Sequence, residues 1–181
     1  MEYIGDRISI KRSENELSIV VVSFRNKFKN TLLFAWFFLW TVCGIVVLTQ
    51  YFTAVDENAK AVVLVWLGFW AYFEYKVFKA FMWRKFGVEK IKIRGNKFFY
   101  KRDVSGKGKV HVYDFDFIKD IRSVAVSDKS FVDTINNSYW SLSGEKIAFD
   151  YNGKEIKFAI QLNEPEVKDL LKIIQKEIKK S

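Results

Sequence analysis

A long stretch of the chain, residues 30–55, carries no charged side chain and reads NTLLFAWFFLWTVCGIVVLTQYFTAV. A bilayer core about 30 Å thick needs about 20 apolar residues in a helix, so this stretch is long enough to cross a membrane. It starts too far into the chain, and runs too long, to be a secretory signal peptide. We therefore predict a transmembrane helix over residues 31–55, with a buried helix of a soluble domain as the alternative.

A second apolar segment follows the short polar turn DENAK. Its uncharged centre, residues 61–73, is short for a membrane span, but Lys76 and Lys79 can extend their ammonium groups to the membrane surface. We predict a second helix over residues 58–80, so that residues 31–83 form a two-helix transmembrane hairpin.

Positive charge is concentrated at one end of this predicted hairpin. The cations that flank it there are Arg25, Lys27, Lys29, Lys76, Lys79, Arg84 and Lys85. The turn between the helices has only Lys60, which is offset by Asp56 and Glu57. Because cytoplasmic ends of membrane helices carry an excess of lysine and arginine, we predict that both termini are cytoplasmic.

Inside the predicted hairpin, Glu74 is the one acid of the second span, and intramembrane acids are energetically costly. We predict that it forms an ion pair with Lys29 or Lys27 of the first helix, with a functional role as the alternative. Gly44 and Gly68 lie at similar depths, and small residues let helices approach closely, so we predict that they form the helix contact. Cys43 is the only cysteine, which excludes an intrachain disulfide.

The pattern of apolar residues changes after the hairpin from helical to alternating, as expected for strands with one buried face. A Gly95-Asn96 turn separates two such runs, and Asn152-Gly153 separates two more. Asn-Gly between alternating runs is a strong signal for a β-hairpin. The predicted strands cover residues 88–94, 97–103, 109–115, 117–127, 145–151 and 154–160.

An amphipathic helix follows these strands. Asn163 is a good N-cap, and Glu166 stands three residues later, which is the spacing of a capping box. Its apolar residues recur on one face, which must be buried against the strands. These residues are Val167, Leu170, Leu171, Ile174 and Ile178. We predict that residues 84–181 form one antiparallel β domain closed by this helix.

The start of the chain also alternates, in RISIKR (7–12) and LSIVVVSF (17–24). We predict a β-hairpin within residues 1–30. Since both termini are predicted on one side of the membrane, this hairpin can dock on the sheet of the 84–181 domain or cover its edge.

This order of elements resembles the pleckstrin-homology-like (PH-like) domains of bacterial membrane proteins, in which meandering strands form a bent sheet closed by a C-terminal helix. The matching features are the hairpin 88–103, the strand FIKDIRSV, the hairpin 145–160 and the helix 164–179. The resemblance implies an α+β membrane protein of the bacterial inner membrane, with a transmembrane helical hairpin and a PH-like antiparallel β domain. It also implies binding of lipids or proteins at the cytoplasmic face.

The hairpin KIKIRGNKFFYK gathers positive charge on one face. With a two-residue turn, Arg94 pairs with Lys97 and Lys90 with Lys101, and Lys92 points to the same side. Cations near an anionic membrane are worth about 1 kcal/mol each, so this face suits a membrane surface. An acidic protein partner and simple solvation of an outer sheet face are the two other interpretations.

We find no residue pattern that indicates catalysis. His111 is the only histidine and Cys43 lies in the apolar stretch, so a His/Cys metal cluster is not expected. The segment SGKGK lacks the spacing of a phosphate-binding loop. The net charge is +9, but the basic face is small and lies beside a membrane, which argues against nucleic acid. We expect no enzyme activity, no cofactor and no metal.

The function that fits these features is an accessory or assembly subunit of a larger membrane complex. Its domain would bind protein or lipid, and its partners would be membrane lipids and a second membrane protein. The alternative is a lipid-sensing or self-oligomerising membrane scaffold.

Overall fold

The computed structural model describes residues 1–23, 27–53, 56–124 and 144–178. Within these ranges the chain forms nine strands, three α-helices and one 3-10 turn. The strands are β1 (Glu2–Ile4), β2 (Ile8–Ser13), β3 (Glu16–Val22), β4 (Gly87–Arg94), β5 (Lys97–Val104), β6 (Val110–Asp114), β7 (Ile118–Ser123), β8 (Glu145–Tyr151) and β9 (Lys154–Ile160). The helices are α1 (Lys27–Thr53), α2 (Glu57–Phe86) and α3 (Glu164–Ile178), and the 3-10 turn is Phe115–Phe117.

Helices α1 and α2 are long and apolar enough to cross a membrane, by length and composition. They pack as an antiparallel pair, in which Phe34 lies beside Phe81 at one end and the Trp70 indole donates to the Trp40 carbonyl further along. Most of their apolar side chains point away from the rest of the protein and are exposed. The structure is therefore an α+β chain with one apolar helical hairpin.

The helices differ in extent from the expected 31–55 and 58–80. Helix α1 already begins at Lys27, and the predicted end at residues 54 and 55 lies outside the described ranges. Helix α2 continues to Phe86, because no glycine or proline interrupts it between Gly68 and Gly87. Basic residues in its last turn, Arg84 and Lys85, favour this extension through the helix dipole.

The strands β1 to β6 form one antiparallel sheet in chain order. Strand β3 pairs with β4 along its whole length, from Glu16 opposite Arg94 to Val22 opposite Val88. The helical hairpin is thus an insertion between two neighbouring strands. The division into a separate 1–30 hairpin and an 84–181 domain does not describe this sheet, because its strands come from both segments.

The first hairpin of the predicted β domain has the expected register. Arg94 lies opposite Lys97 and Lys90 opposite Lys101, with Gly95 and a neighbouring turn residue between the strands. Gly95 has a φ of 54°, a left-handed conformation that glycine adopts without strain. The apolar residues of this hairpin point to the opposite face and are buried; they are Ile91, Ile93, Phe98 and Tyr100.

Strands β7, β8 and β9 form a second, three-stranded antiparallel sheet. It covers the inner face of the first sheet, and Phe98 of β5 contacts Phe149 of β8 and Phe158 of β9 with ring centroids 5.5 and 5.7 Å apart. These three side chains are fully buried. Strand β7 ends at Ser123, and the predicted continuation through residues 125–127 lies outside the described ranges.

Helix α3 buries its apolar stripe against both sheets, with Val167, Leu170 and Ile174 in the core. The predicted capping box is confirmed. The Glu166 amide donates to Asn163 Oδ1 at 2.8 Å, and the Asn163 amide donates to Glu166 Oε2 at 2.9 Å.

Candidate interaction surface

The outer face of the six-stranded sheet carries the predicted cations. The second sheet covers only the inner face, so alternate residues of β3 to β6 point outward. One outward row runs through Ser18, Lys92, Phe99 and Val112, and all four are at least partly exposed. The surface is therefore mixed, with apolar side chains between basic ones.

Three of the five predicted cations are paired with acids on this face. Lys90 Nζ lies 2.7 Å from Asp103 Oδ2, and Lys101 Nζ lies 3.3 Å from the same oxygen. Lys92 Nζ lies 2.9 Å from Glu16 Oε1. These pairs reduce the net positive charge of the face. Asp103 belongs to β5 of the hairpin itself, whereas Glu16 comes from β3, which the hairpin sequence does not include.

Asp103 is the acid that holds two of these lysines. Its side chain is 5% exposed. The hydrogen bond from Lys90 holds the pKa of this carboxyl below its ordinary value of 3.8; burial opposes that shift, and Lys101 adds to it. Asp103 is therefore a stable counter-charge at neutral pH.

The other two predicted cations lie at the tip of the hairpin. Arg94 and Lys97 are opposite each other and exposed, and no acid of the described residues is within ion-pair distance of them. Strand β4 extends about 23 Å from Gly87, which follows α2, to Arg94. The predicted five-residue site is thus divided into three lysines that are paired with acids and two cations at the tip that have no ion pair, although Glu16 stands opposite Arg94 in the neighbouring strand.

A buried polar network between the two sheets lies behind this face. The Tyr100 hydroxyl donates to Glu89 Oε1 at 2.5 Å, and the Ile160 amide donates to Glu89 Oε2 at 2.9 Å. Arg102 Nε donates to the Tyr100 oxygen at 2.7 Å, and Arg102 Nη2 donates to Glu145 at 2.7 Å. The network joins β4 and β5 of one sheet to β8 and β9 of the other.

Burial dominates the electrostatics of this network. Burial raises the pKa of Glu89 above its ordinary value, although the hydrogen bonds from Tyr100 and Ile160 and the charge of Arg102 oppose the shift. Burial and the nearby Glu89 charge also raise the pKa of Tyr100. A signal for this site was present in VEKIKIR, because alternation places Glu89 on the same buried face as Ile91.

The end of α2 that meets the β domain is held by hydrogen bonds from Ser23, the residue after β3. The Ser23 amide donates to the Gly87 carbonyl at 3.1 Å, and the Ser23 hydroxyl donates to the Arg84 carbonyl at 3.0 Å. A Cβ at position 87 would collide with the Trp83 carbonyl oxygen and indole, so only glycine fits between α2 and β4. The end of α2 is therefore fixed beside the end of β3.

Inside the helical hairpin, Glu74 contacts Thr41 of α1. The Thr41 hydroxyl lies 2.5 Å from Glu74 Oε1 and 2.9 Å from the Phe37 carbonyl oxygen. Lys29 precedes Thr41 by more than three helical turns, about 18 Å along the axis, which is too far for the predicted ion pair. The Lys29 side chain lies outside the described atoms, so the contact that the structure gives to Glu74 is the hydroxyl of Thr41.

The two glycines predicted at the helix contact have different surroundings. Gly44 is buried, and a Cβ there would collide with the Trp70 indole, so it does permit close approach of the helices. Gly68 is exposed with no atom within 4 Å of an added Cβ, so it faces away from α1. The sequence placed Gly68 at the same depth as Gly44 in the hairpin, but depth does not determine which side of α2 a residue faces.

No group of three or more metal-ligating side chains lies together in the described part of the chain. Comparisons with protein-family models, curated proteins and solved structures gave no match for this chain.

Proposed function

We propose that the protein is an integral membrane protein, anchored by α1 and α2, that serves as an accessory or assembly subunit of a larger membrane complex. Its β domain, PH-like in plan, binds a second protein at the cytoplasmic face, and the chain performs no catalysis. Two antiparallel sheets that pack face to face, with α3 against both, support the PH-like assignment.

The surface of the helices supports membrane insertion. Phe38, Leu39 and Phe69 are each more than 60% exposed, and many other apolar side chains of the two helices are also uncovered. Soluble monomers rarely leave such large apolar surfaces in water, whereas lipid covers them without cost. Lys76 and Lys79 lie over the rings of Tyr72 and Tyr75, an arrangement that suits the membrane–water interface.

The observation that carries the proposal is the insertion of both helices between β3 and β4. A domain that is only recruited to a membrane needs one flexible connection. Here two connections enter neighbouring strands of one sheet, and Ser23 bonds both Arg84 and Gly87 across them. A partner bound to this sheet is held at a fixed distance from the bilayer, which suits the assembly of a membrane complex.

The charge distribution favours a protein partner over a lipid surface. Asp103 neutralises Lys90 and Lys101, and Glu16 neutralises Lys92. Arg94 and Lys97 have no acid within ion-pair distance among the described residues, and Arg94 lies about 23 Å along β4 from Gly87 at the end of α2. An electrostatic membrane contact is worth little beyond about 8–10 Å at physiological salt. An acidic partner that extends from the membrane can reach the tip.

The first test is extraction of the tagged chain in mild detergent, followed by a native gel and mass spectrometry of co-migrating chains. We expect a discrete band with a second membrane protein in a fixed ratio. The double variant Arg94→Gln/Lys97→Gln should weaken that complex more than Lys90→Gln/Lys101→Gln. A band of this chain alone, or of the chain with lipid, would overturn the proposal in favour of a lipid-sensing or self-oligomerising scaffold.

The orientation is tested separately with a membrane-impermeant thiol reagent on intact cells. Cys43→Ser removes the native thiol, and exposed Asn15 or Asn58 is changed to cysteine. We expect labelling at position 58, in the first turn of α2 beside the connection between the helices, and none at position 15, in the β2–β3 turn. Labelling at position 15 alone would place the domain outside the cell.

A further inference from the structure

Strand β6 is an edge strand of the six-stranded sheet. The Phe115 amide donates to the Asn96 carbonyl, and Val104 and Lys107 exchange two backbone hydrogen bonds. In an antiparallel ladder the bonded pairs alternate, so the odd-numbered residues of β6 bond to β5. The backbone amides and carbonyls of Val110 and Val112 therefore point outward, and no described strand pairs with them.

The side chains of this edge are poorly protected against pairing. Val110 and Val112 lie on the outer sheet face and are 51% and 48% exposed. Natural sheet edges are usually shielded by charged side chains, proline or covering elements. Two exposed valines on an edge strand instead favour pairing with another strand. The edge offers both hydrogen-bonding groups and an apolar surface.

The other side of the same edge opens into a cleft of 400 Å³ between β6 and β9. Lys109 and His111 line it from one side and Lys157 from the other. Two acids also line it, and both are already paired: Glu145 with Arg102, and Glu155 with Arg122 and Lys157. Lys157 is paired with Glu155 at 2.9 Å, whereas Lys109 has no acid within ion-pair distance in the described part of the chain. An acidic group that enters the cleft beside Lys109 would form an ion pair with it.

We propose that β6 is a docking site for an extended segment of a partner protein, which adds to the sheet as a further antiparallel strand. The partner is acidic, because its alternate side chains enter the cleft beside Lys109. The side chains between them are apolar and pack on Val110 and Val112. Backbone hydrogen bonds supply affinity, and the two rows of side chains supply specificity. This assignment rests on the proposed function only in that the domain binds another protein.

The test uses the full-length protein in detergent and a fluorescent ten-residue peptide of alternating valine and glutamate. Fluorescence anisotropy measures its dissociation constant. We expect saturable binding, and at least about tenfold weaker binding of a valine–lysine peptide of the same length, because its charges repel Lys109. A valine–glutamate peptide in which alternate backbone nitrogens are methylated should also bind at least about tenfold more weakly, because its blocked amides cannot donate hydrogen bonds to the β6 carbonyls.

The matched protein variants are Val112→Pro and Val112→Thr. Proline removes the outward amide without breaking the ladder to β5 and is tolerated at sheet edges, whereas threonine keeps both the amide and the branched side chain. We expect binding weakened at least about tenfold for Val112→Pro and weakened much less for Val112→Thr, which keeps the backbone hydrogen bonds and loses only part of the apolar contact. If Val112→Pro fails to fold, the methylated peptide tests the same hydrogen bonds on the wild-type chain.

Three outcomes would overturn the proposal. The first is no binding of the valine–glutamate peptide, and the second is equal binding of the methylated peptide. The third is self-association of the purified chain that Val112→Pro abolishes, which would assign the edge to a second copy. A stable complex on the native gel together with any of these results would leave the accessory-subunit function standing and refute only the β6 site.

Discussion

Val22 and Val88 lie directly opposite each other in neighbouring strands, although both long helices stand between them in the chain. Ser23 and Gly87 extend this pairing to the end of α2 with a backbone hydrogen bond. The helical hairpin is therefore the connection of a β-hairpin. Strands on both sides of the apolar segment must be present before the sheet can form.

We predict that the N-terminal strands contribute to the stability of the whole domain. Ile19 of β3 lies opposite Ile91 of β4, and both are fully buried. Ile19→Ala should lower the free energy of unfolding by about 2–5 kcal/mol, because it leaves a cavity between strands from two distant segments. Limited proteolysis of the full chain in detergent, with urea, measures this change.

The matched control is Val20→Ala on the outer face, where the side chain is half-buried. It should cost less than about 1 kcal/mol. Equal losses for the two variants would mean that β3 is not packed in the core as the structure has it.

The two hairpin glycines should respond differently to the same change. Gly44→Ala forces a methyl group into the Trp70 indole and should destabilise helix packing by about 1–3 kcal/mol. Gly68→Ala meets open space and should leave the packing unchanged. Thermal unfolding of the full chain in detergent, followed by tryptophan fluorescence, separates the two. Destabilisation by Gly68→Ala would show that this glycine contacts another helix.

The contact between Thr41 and Glu74 should make a small structural contribution. Interhelical hydrogen bonds in membranes are worth about 0.6 kcal/mol on average and at most about 1.7 kcal/mol, so Thr41→Val should destabilise the hairpin within this range. The control is Thr49→Val, since the Thr49 hydroxyl donates to the Val46 carbonyl of its own helix. The measurement is denaturation in mixed detergent micelles. No difference between the two variants would exclude a stabilising role for the Glu74 contact.

The buried Glu89 should make stability depend on pH with a defined sign. Its folded pKa is raised above 4.5 by burial, so its contribution to stability is fully present below that pH and is lost as pH rises through the folded pKa. As pH rises from about 4, the melting temperature of Glu89→Gln should therefore increase relative to that of the wild type.

Asp103→Asn provides a control of opposite sign. The Asp103 pKa is lowered, so its contribution is present above 3.8 and is lost as pH falls through the folded pKa. Its melting-temperature difference from the wild type should therefore shrink on acidification. Parallel pH curves for Glu89→Gln and Asp103→Asn would contradict the assigned electrostatics.

Much of the local structure followed from short stretches of sequence. The uncharged run predicted a long apolar helix, and alternation with a Gly-Asn turn predicted the register of β4 and β5. The reciprocal bonds between Asn163 and Glu166 followed from their spacing. These features depend on interactions between residues close in the chain, so their physical causes are visible in the sequence.

The sequence alone determined the apolar helical hairpin, the alternating strands and the final capped helix, because each depends on periodicity or on neighbours a few positions away. Only the tertiary structure decided that β3 joins β4, that Glu16 of β3 neutralises Lys92 of β4, and that Gly68 faces away from α1. It also decided which strand is left at the edge of the sheet. These results depend on strand order and helix rotation, which are set by packing between segments far apart in the chain.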